Sequence, residues 1–125
     1  MGKNRLSPSF LEGFSEYNFS KITEEHIFLV GSISKAKDHF IKIESILQIM
    51  HQKLVSVCSV DGLLNKEKFS DYEWDKLQKI ALRKLQKQDA ILVLDVDNYI
   101  GEQSKEEINY FKYVLDKPVY YLSKL

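Results

Sequence analysis

Short apolar runs alternate with amphipathic stretches along the chain from residue 26 onward. The runs His26–Ser32, Leu54–Val60 and Ala90–Leu94 are short and rich in apolar side chains, which predicts strands. Residues 38–53 carry apolar side chains at helical spacing, and a second stretch of this kind follows Ser70. Strands that alternate with helices predict a parallel sheet with right-handed crossovers.

The last third of the chain continues the same alternation. The run Ala90–Leu94 has no polar interruption, which indicates a strand buried on both faces. We predict a helix from Ser104 and a fourth strand from Val119, where Pro118 is tolerated because the first residues of a strand need not donate hydrogen bonds. The simplest doubly wound strand order is 2-1-3-4. The sequence therefore predicts a Rossmann-like three-layer α/β sandwich with a four- to five-stranded parallel sheet.

Residues 1–25 have no regular apolar period, yet they carry six large apolar side chains. These are Phe10, Leu11, Phe14, Tyr17, Phe19 and Ile22. So much apolar surface is unfavourable in water. We expect an arm over residues 1–25 that packs either on the domain of residues 26–125 or on a second subunit, and we expect a homodimer or higher homo-oligomer.

Composition narrows the classes of partner. Lys plus Arg equals Asp plus Glu at 18 each, so no overall charge would attract nucleic acid or an anionic membrane. The single cysteine, Cys58, cannot form an intramolecular disulfide, which favours a reducing compartment. No stretch reaches the ~18 apolar residues that span a membrane. We expect a cytoplasmic protein with no nucleic-acid or membrane partner.

Candidate site residues follow the predicted strands. Asp95 and Asp97 follow the third strand, and Gly31 and Ser32 end the first; in parallel sheets, ligands bind outside the carboxyl ends of the strands. Gly31 would allow a positive φ or a close backbone approach, although a plain strand-to-helix turn is the alternative. Alternate residues of an extended chain point to opposite sides, so only one of the two aspartates is expected to line the pocket. Asp61, after the second strand, is a secondary candidate.

Glu107 has two interpretations. The pattern Ser104-x-x-Glu107 at a helix start is a capping box, in which the glutamate bonds to the backbone of the serine. Alternatively, its carboxylate points from the first helical turn into the crevice that holds Asp95 and Asp97. The helix N-terminus would favour the ionised form, which suits a nucleophile or an acceptor for hydroxyl groups. The residues alone leave both interpretations open.

No metal or cofactor is expected. Asp95, Asp97 and Glu102 could in principle offer oxygen ligands to magnesium or calcium. The sequence contains no D-x-D-x-D-G loop and no phosphate-cradling G-x-x-x-x-G-K. Its three histidines are scattered and form no zinc-binding pair at helical spacing.

Two stretches carry a family resemblance: IFLVGSI followed by KDHF, and DAILVLDVDNYIGEQSKEEINYFKYVLDKPVYYL. They are similar to the nucleoside 2-deoxyribosyltransferase-like superfamily, in particular its small, mostly uncharacterised bacterial and phage members. The similarity covers roughly residues 27–123, and YIGEQSKEEI with KPVYYL is its most specific part. The resemblance implies a Rossmann-like sheet and cleavage or exchange of the N-glycosidic bond of a deoxynucleoside or deoxynucleotide. It implies that Glu107 attacks the anomeric carbon while a carboxylic acid protonates the leaving base.

The chain departs from the family pattern at several positions. Active members have a tyrosine where this chain has Phe28, an aspartate where it has Gly101, and a glycine where it has Asn109. The first two departures remove groups that would position the nucleophile and the sugar. In the closer members a histidine often stands where this chain has Ala81, whereas Lys84 is kept. We therefore expect this chain to share the family's fold more closely than its activity.

Three functions are compatible with the sequence. In an enzyme of the N-glycosidic class, the catalytic residues would be Glu107, Asp95 and Asp97. A non-catalytic nucleotide-binding or sensory module would use the same crevice, and an interaction protein would use the arm to complete an oligomer. For both the enzyme and the binding module, the expected small-molecule ligand is a nucleoside or nucleotide. The expected ligand-binding residues are Gly31, Ser32, Tyr99, Gly101 and Ser104.

Overall fold

The computed structural model describes residues 5–57 and 66–125, and four parallel strands form its centre. The strands are β1 His26–Gly31, β2 Leu54–Ser56, β3 Ala90–Leu94 and β4 Val119–Tyr121. They lie in the order β2-β1-β3-β4, and every neighbouring pair is parallel. This confirms the predicted Rossmann-like α/β fold and its strand order.

Helices flank the sheet on both sides. They are α1 Pro8–Leu11, α2 Ile33–Ile49, α3 Asp71–Gln86 and α4 Glu102–Asn109, which a π-helical segment, Tyr110–Val114, continues. Short 3-10 turns lie at Phe19–Lys21, Lys66–Lys68, Val96–Asn98 and Leu122–Lys124. Within the described part of the chain, no helix has the length and apolar character needed to cross a membrane.

The start of α3 follows the sequence pattern closely. The Ser70 amide donates to Glu73 Oε1 at 2.9 Å, and the Glu73 amide donates to Ser70 Oγ at 3.1 Å. This is the capping box that the S-D-Y-E pattern predicts. In the last turn of the same helix, Lys84 Nζ donates to the Val57 carbonyl at 3.2 Å.

Alternating side chains of the central strands divide the core into two layers. Ile27 and Leu29 of β1 pack in one cluster with α2, whereas Phe28 and Val30 pack in another that contains residues of α3 and α4. This division follows from the period of two along a strand. All five residues of β3 are buried, as its uninterrupted apolar run predicts.

The N-terminal arm packs on the α2 side of the sheet. Phe14, Phe19 and Ile22 are buried in the cluster that contains α2. The Tyr120 hydroxyl of β4 donates to Glu24 Oε1 at 2.8 Å. Three of the arm's six large apolar side chains are therefore buried within the chain itself, and the other three are partly buried.

Part of the predicted second strand lies outside the described residues. β2 is described over Leu54–Ser56, whereas the prediction extended it to Val60. Cys58 and the secondary site candidate Asp61 fall in the same undescribed range.

Candidate functional site

The carboxyl ends of β1 and β3 lie side by side, with Gly31 in register with Leu94. A Cβ atom on Gly31 would lie 3.1 Å from Leu94 Cβ and 3.2 Å from the Leu94 carbonyl oxygen. The close backbone approach expected at Gly31 is therefore made by the neighbouring strand. A positive φ is not what selects glycine here, because among the described glycines only Gly13 has one.

Ser32 joins β1 to α2. It is the N-cap residue of α2, and its carbonyl accepts from the amides of Lys35 at 3.2 Å and Ala36 at 2.8 Å. Ala36 has non-helical dihedral angles, with φ of −127° and ψ of 19°, so a kink separates the first turn of α2 from the rest of the helix.

Asp95 and Asp97 line the same cavity, which has a volume of about 430 Å³. The prediction that only one of them faces the pocket is wrong, because the chain is not extended here. Asp95 has φ of −84° and ψ of 59°, and Asp97 has a φ of 56° within a 3-10 turn. The polar residues that line the cavity are Tyr17, His39, Asp95, Asp97, Asn98 and Ser123.

Asp95 also ties the ends of two strands together. Its Oδ1 accepts from the Ser123 amide at 2.9 Å, and its Oδ2 accepts from the Ser123 hydroxyl at 2.5 Å. The Asp95 side chain is buried. Because both oxygens already accept hydrogen bonds, the contacts fit a role as a hydroxyl acceptor better than a role as a proton donor.

Tyr17 and His39 are cavity residues that were not among the predicted site residues. Burial, followed by the charges of Glu16 and Asp95, raises the pKa of the Tyr17 phenol above its usual value. The His39 ring lies 5.1 Å from the Phe14 ring, so its position depends on the arm. Tyr17 reaches the cavity through long-range packing and carries no sequence signal, whereas His39 belongs to the KDHF stretch that resembles the family.

The predicted capping box at Ser104 and Glu107 is wrong. The last helix, α4, begins at Glu102, and its N-cap is Gly101, with φ of −69° and ψ of 162°. Ser104 is therefore the third helical residue, and Glu107 lies in the second turn rather than the first. A serine followed three residues later by a glutamate occurs inside helices as well as at their starts. Here the helix begins two residues before the serine.

Glu107 is a buried carboxyl with an unpaired oxygen. Its side chain is only 8% exposed, and Oε2 has no hydrogen-bond partner among the described residues. Burial and, to a smaller extent, the charge of Glu106 raise its pKa from 4.5 to about 7. The expectation that the helix N-terminus keeps Glu107 ionised is therefore wrong, because burial outweighs it and favours the protonated form.

The structure brings some predicted residues together and separates others. Asp95 and Asp97 share the cavity, and a Cβ atom on Gly101 would lie 3.8 Å from the Tyr99 hydroxyl oxygen. Ser104 and Glu107 are buried on α4, which packs on the sheet face opposite α2. Glu107 is not among the described residues that line the cavity.

A metal site does not emerge from the described residues. No three of their His, Cys, Asp or Glu side chains are grouped as ligands of a metal ion would be. The carboxylates of this region are instead engaged in hydrogen bonds, as at Asp95, or exposed, as at Asp97.

Comparisons of the chain with family models, with curated proteins and with solved structures find no match. The class of this protein is therefore defined by its fold and its site alone. It is a Rossmann-like α/β domain with an acidic cavity at the carboxyl edge of its sheet. On the helix that follows β3 it carries a buried glutamate, one oxygen of which has no hydrogen-bond partner among the described residues.

Proposed function

We propose that this protein binds a deoxynucleoside or deoxynucleotide at the carboxyl edge of its sheet and cleaves or transfers the N-glycosidic bond with Glu107 as nucleophile. The observation that carries the proposal is the buried Oε2 of Glu107, which has no hydrogen-bond partner in the part of the chain that the structure describes. A buried polar atom without a partner is unfavourable by about 1–3 kcal/mol, so its presence calls for a reason other than stability. Carboxyls with strongly raised pKa values concentrate at functional sites.

The proposed reaction proceeds through a covalent intermediate. An ionised oxygen of Glu107 forms a bond to the anomeric carbon while the bond from that carbon to the base nitrogen breaks. The bonding electrons leave with the base, which takes up a proton. Water, or a second base, then attacks the glycosyl ester and releases Glu107. A pKa of about 7 leaves a usable fraction of Glu107 ionised at neutral pH.

Both aspartates are proposed to contact the sugar. Asp95 is held by the two donors of Ser123 and still presents acceptor positions to the cavity, which suits an anchor for sugar hydroxyls. Asp97 is exposed in the same cavity and is proposed to accept a hydrogen bond from the sugar, while the leaving base takes up its proton from solvent. Gly31, Ser32, Tyr99, Gly101 and Ser104 complete the proposed ligand-binding set.

Phe28 bears on the positioning of the nucleophile. It is fully buried in the same cluster as Ile108 of α4, the residue that follows Glu107. The family pattern has a tyrosine at this position, and a phenyl ring offers no hydroxyl to a carboxylate. The absence of that hydroxyl agrees with the lack of a partner for Glu107 Oε2 among the described residues.

A second candidate function is a non-catalytic nucleoside- or nucleotide-binding module. The observation that favours it is the lining of the cavity, since Glu107 is not among its described residues. In that case Asp95, Asp97 and Tyr17 would bind the ligand, and the ligand would leave unchanged.

One assay separates the two functions. The full chain is incubated with a panel of 2′-deoxynucleosides and their 5′-monophosphates, and free base is quantified by chromatography. We expect base release that falls by about 10³-fold or more in Glu107→Ala and is retained in Glu106→Ala, which alters the exposed neighbour. Base release unchanged by Glu107→Ala would remove the catalytic assignment, and binding without base release would select the non-catalytic function.

The proposal also covers the cellular compartment and the oligomeric state of the protein. One cysteine in the whole sequence fits a reducing, cytosolic compartment. Self-association is a further proposal, for which light scattering on the full chain is the measurement; the mass of a single chain would contradict it.

A further inference from the structure

The cavity at the carboxyl edge is acidic. Two carboxylates, Asp95 and Asp97, line it, and no lysine or arginine is found among its described lining residues. Its volume of about 430 Å³ lies within the range of small-molecule sites, which is roughly 300–1,000 Å³. The arm, α2 and the loops after β3 and β4 line it.

Negative charges act on the Tyr17 phenol, which lines this cavity. Besides burial, the negative charges of Glu16 and Asp95 raise the pKa of the phenol. A potential that disfavours a phenolate also disfavours any other anion placed beside it. The phenol itself stays protonated near neutral pH and can donate a hydrogen bond.

Three lysines on elements that contribute to the cavity lie over aromatic rings. Lys35 Nζ lies 5.9 Å from the Tyr99 ring centre, and Lys42 Nζ lies 5.4 Å from the Phe14 ring centre. Lys124 Nζ lies 5.6 Å from the Tyr121 ring centre. None of these three lysines is among the described residues that line the cavity, where the basic side chain is His39.

We propose that this cavity selects an uncharged nucleoside over the corresponding nucleoside 5′-phosphate, with Asp95 and Asp97 accepting hydrogen bonds from sugar hydroxyls and Tyr17 donating one to the ligand. The inference rests on the proposed ligand class, and it names the substrate within that class. Like charges a few ångströms apart repel each other, and they do so more strongly at a protein surface than in bulk water. A phosphate carries about 1.5 to 2 negative charges at neutral pH, so discrimination of about tenfold or more is expected.

The test compares each of the four common 2′-deoxynucleosides with its own 5′-monophosphate. Binding to the full chain is measured by calorimetry in the Glu107→Gln background, which prevents cleavage of the ligand, at about 0.05 M and 0.5 M salt. Asp97→Asn is the informative variant. Asp97 has a φ of 56°, a region that asparagine adopts readily, so the substitution removes charge and keeps the backbone.

Asp116→Asn is the matched control. Asp116 is also exposed and has a φ of 53°, but it precedes β4 and so lies at the opposite edge of the sheet from the cavity. A second variant, Tyr17→Phe, removes one donor from the cavity and is expected to weaken nucleoside binding about fivefold, consistent with one hydrogen bond of about 1 kcal/mol.

The inference predicts that the nucleoside binds about tenfold or more tightly than its monophosphate at low salt. The ratio of the two affinities decreases at high salt and in Asp97→Asn, and it is unchanged in Asp116→Asn. A monophosphate that binds as tightly as the nucleoside, or a preference that Asp97→Asn does not alter, overturns the inference. Base release from the monophosphate by the wild-type chain would then still support the proposed function, whereas binding of neither ligand would overturn both.

Discussion

Asp95 and Ser123 join the carboxyl ends of β3 and β4 through two hydrogen bonds, of 2.9 Å to the serine amide and 2.5 Å to its hydroxyl. The pair lines the acidic cavity. A residue that the sequence singles out for chemistry is therefore also part of the structure that shapes the site. Substituting Asp95 would remove both its structural contact and its proposed contact with the ligand. Substituting Ser123 removes only the structural contact.

Ser123→Ala should destabilise the fold by about 1–2 kcal/mol, because it removes one hydrogen bond to a buried carboxylate and leaves Oδ2 of Asp95 without that donor. Urea unfolding followed by circular dichroism measures the change. Ser20→Ala, at an exposed serine of the arm, should stay within about 0.5 kcal/mol of the wild type. Equal effects of the two substitutions would show that the Asp95–Ser123 contact contributes nothing specific.

Gly31→Ala should destabilise the fold by about 1–3 kcal/mol, because the new methyl group would meet Leu94 Cβ at 3.1 Å and force the central strands apart. At Gly101 an added Cβ would make only ordinary contacts, the nearest at 3.8 Å, and φ is −69°. Gly101→Ala is therefore the substitution without a steric clash, and it should destabilise the fold only by about 0.5–1 kcal/mol, the cost of alanine in place of glycine at a helix N-cap. Thermal unfolding distinguishes the two, and a neutral Gly31→Ala would contradict the close approach.

Glu107 should make the fold less stable as the pH rises. Below pH 4.5 its carboxyl is protonated in both the folded and the unfolded chain and contributes no difference. Between pH 4.5 and about 7 the folded chain binds the proton more tightly, so stability falls with increasing pH and levels off above that range. The loss is on the order of 3 kcal/mol.

Denaturant unfolding between pH 5 and pH 8 measures this loss. Glu107→Gln replaces the titrating group with a neutral one of similar size, so the difference in stability between wild type and variant should change across this range. Glu106→Gln, at the exposed neighbour, should keep most of the wild-type decline. Parallel curves for wild type and Glu107→Gln would mean that Glu107 titrates normally.

The sheet was predictable because its signal is local. An uninterrupted apolar run defines β3, and the structure gives it the predicted bounds, Ala90–Leu94, with all five residues buried. The strand order follows from the alternation of elements and from the rule on crossovers. The predicted ends of the helices were less exact than the strands. The structure starts α2 at Ile33 rather than at Asp38, and a kink at Ala36 separates this first turn from the rest.

The site was less predictable because it depends on backbone angles and on long-range contacts. Asp97 and Asn98 have φ values of 56° and 59°, which hydrophobic periodicity does not reveal, and this turn brings both aspartates to one cavity. Tyr17 reaches that cavity only because the arm packs over α2. The pattern Ser104-x-x-Glu107 gives a spacing but not a helix start, so it could not distinguish a cap from a buried carboxyl.

The rate of base release as a function of pH tests the role of Glu107 most directly. Only the ionised nucleophile reacts, so the wild-type rate should rise through a midpoint near pH 7 and then level off. Glu106→Gln should move that midpoint to lower pH, because the charge of Glu106 contributes to the raised pKa, and Glu107→Gln should abolish the reaction. A rate that falls as the pH rises through 7, or that persists in Glu107→Gln, would contradict the assignment of Glu107 as the nucleophile.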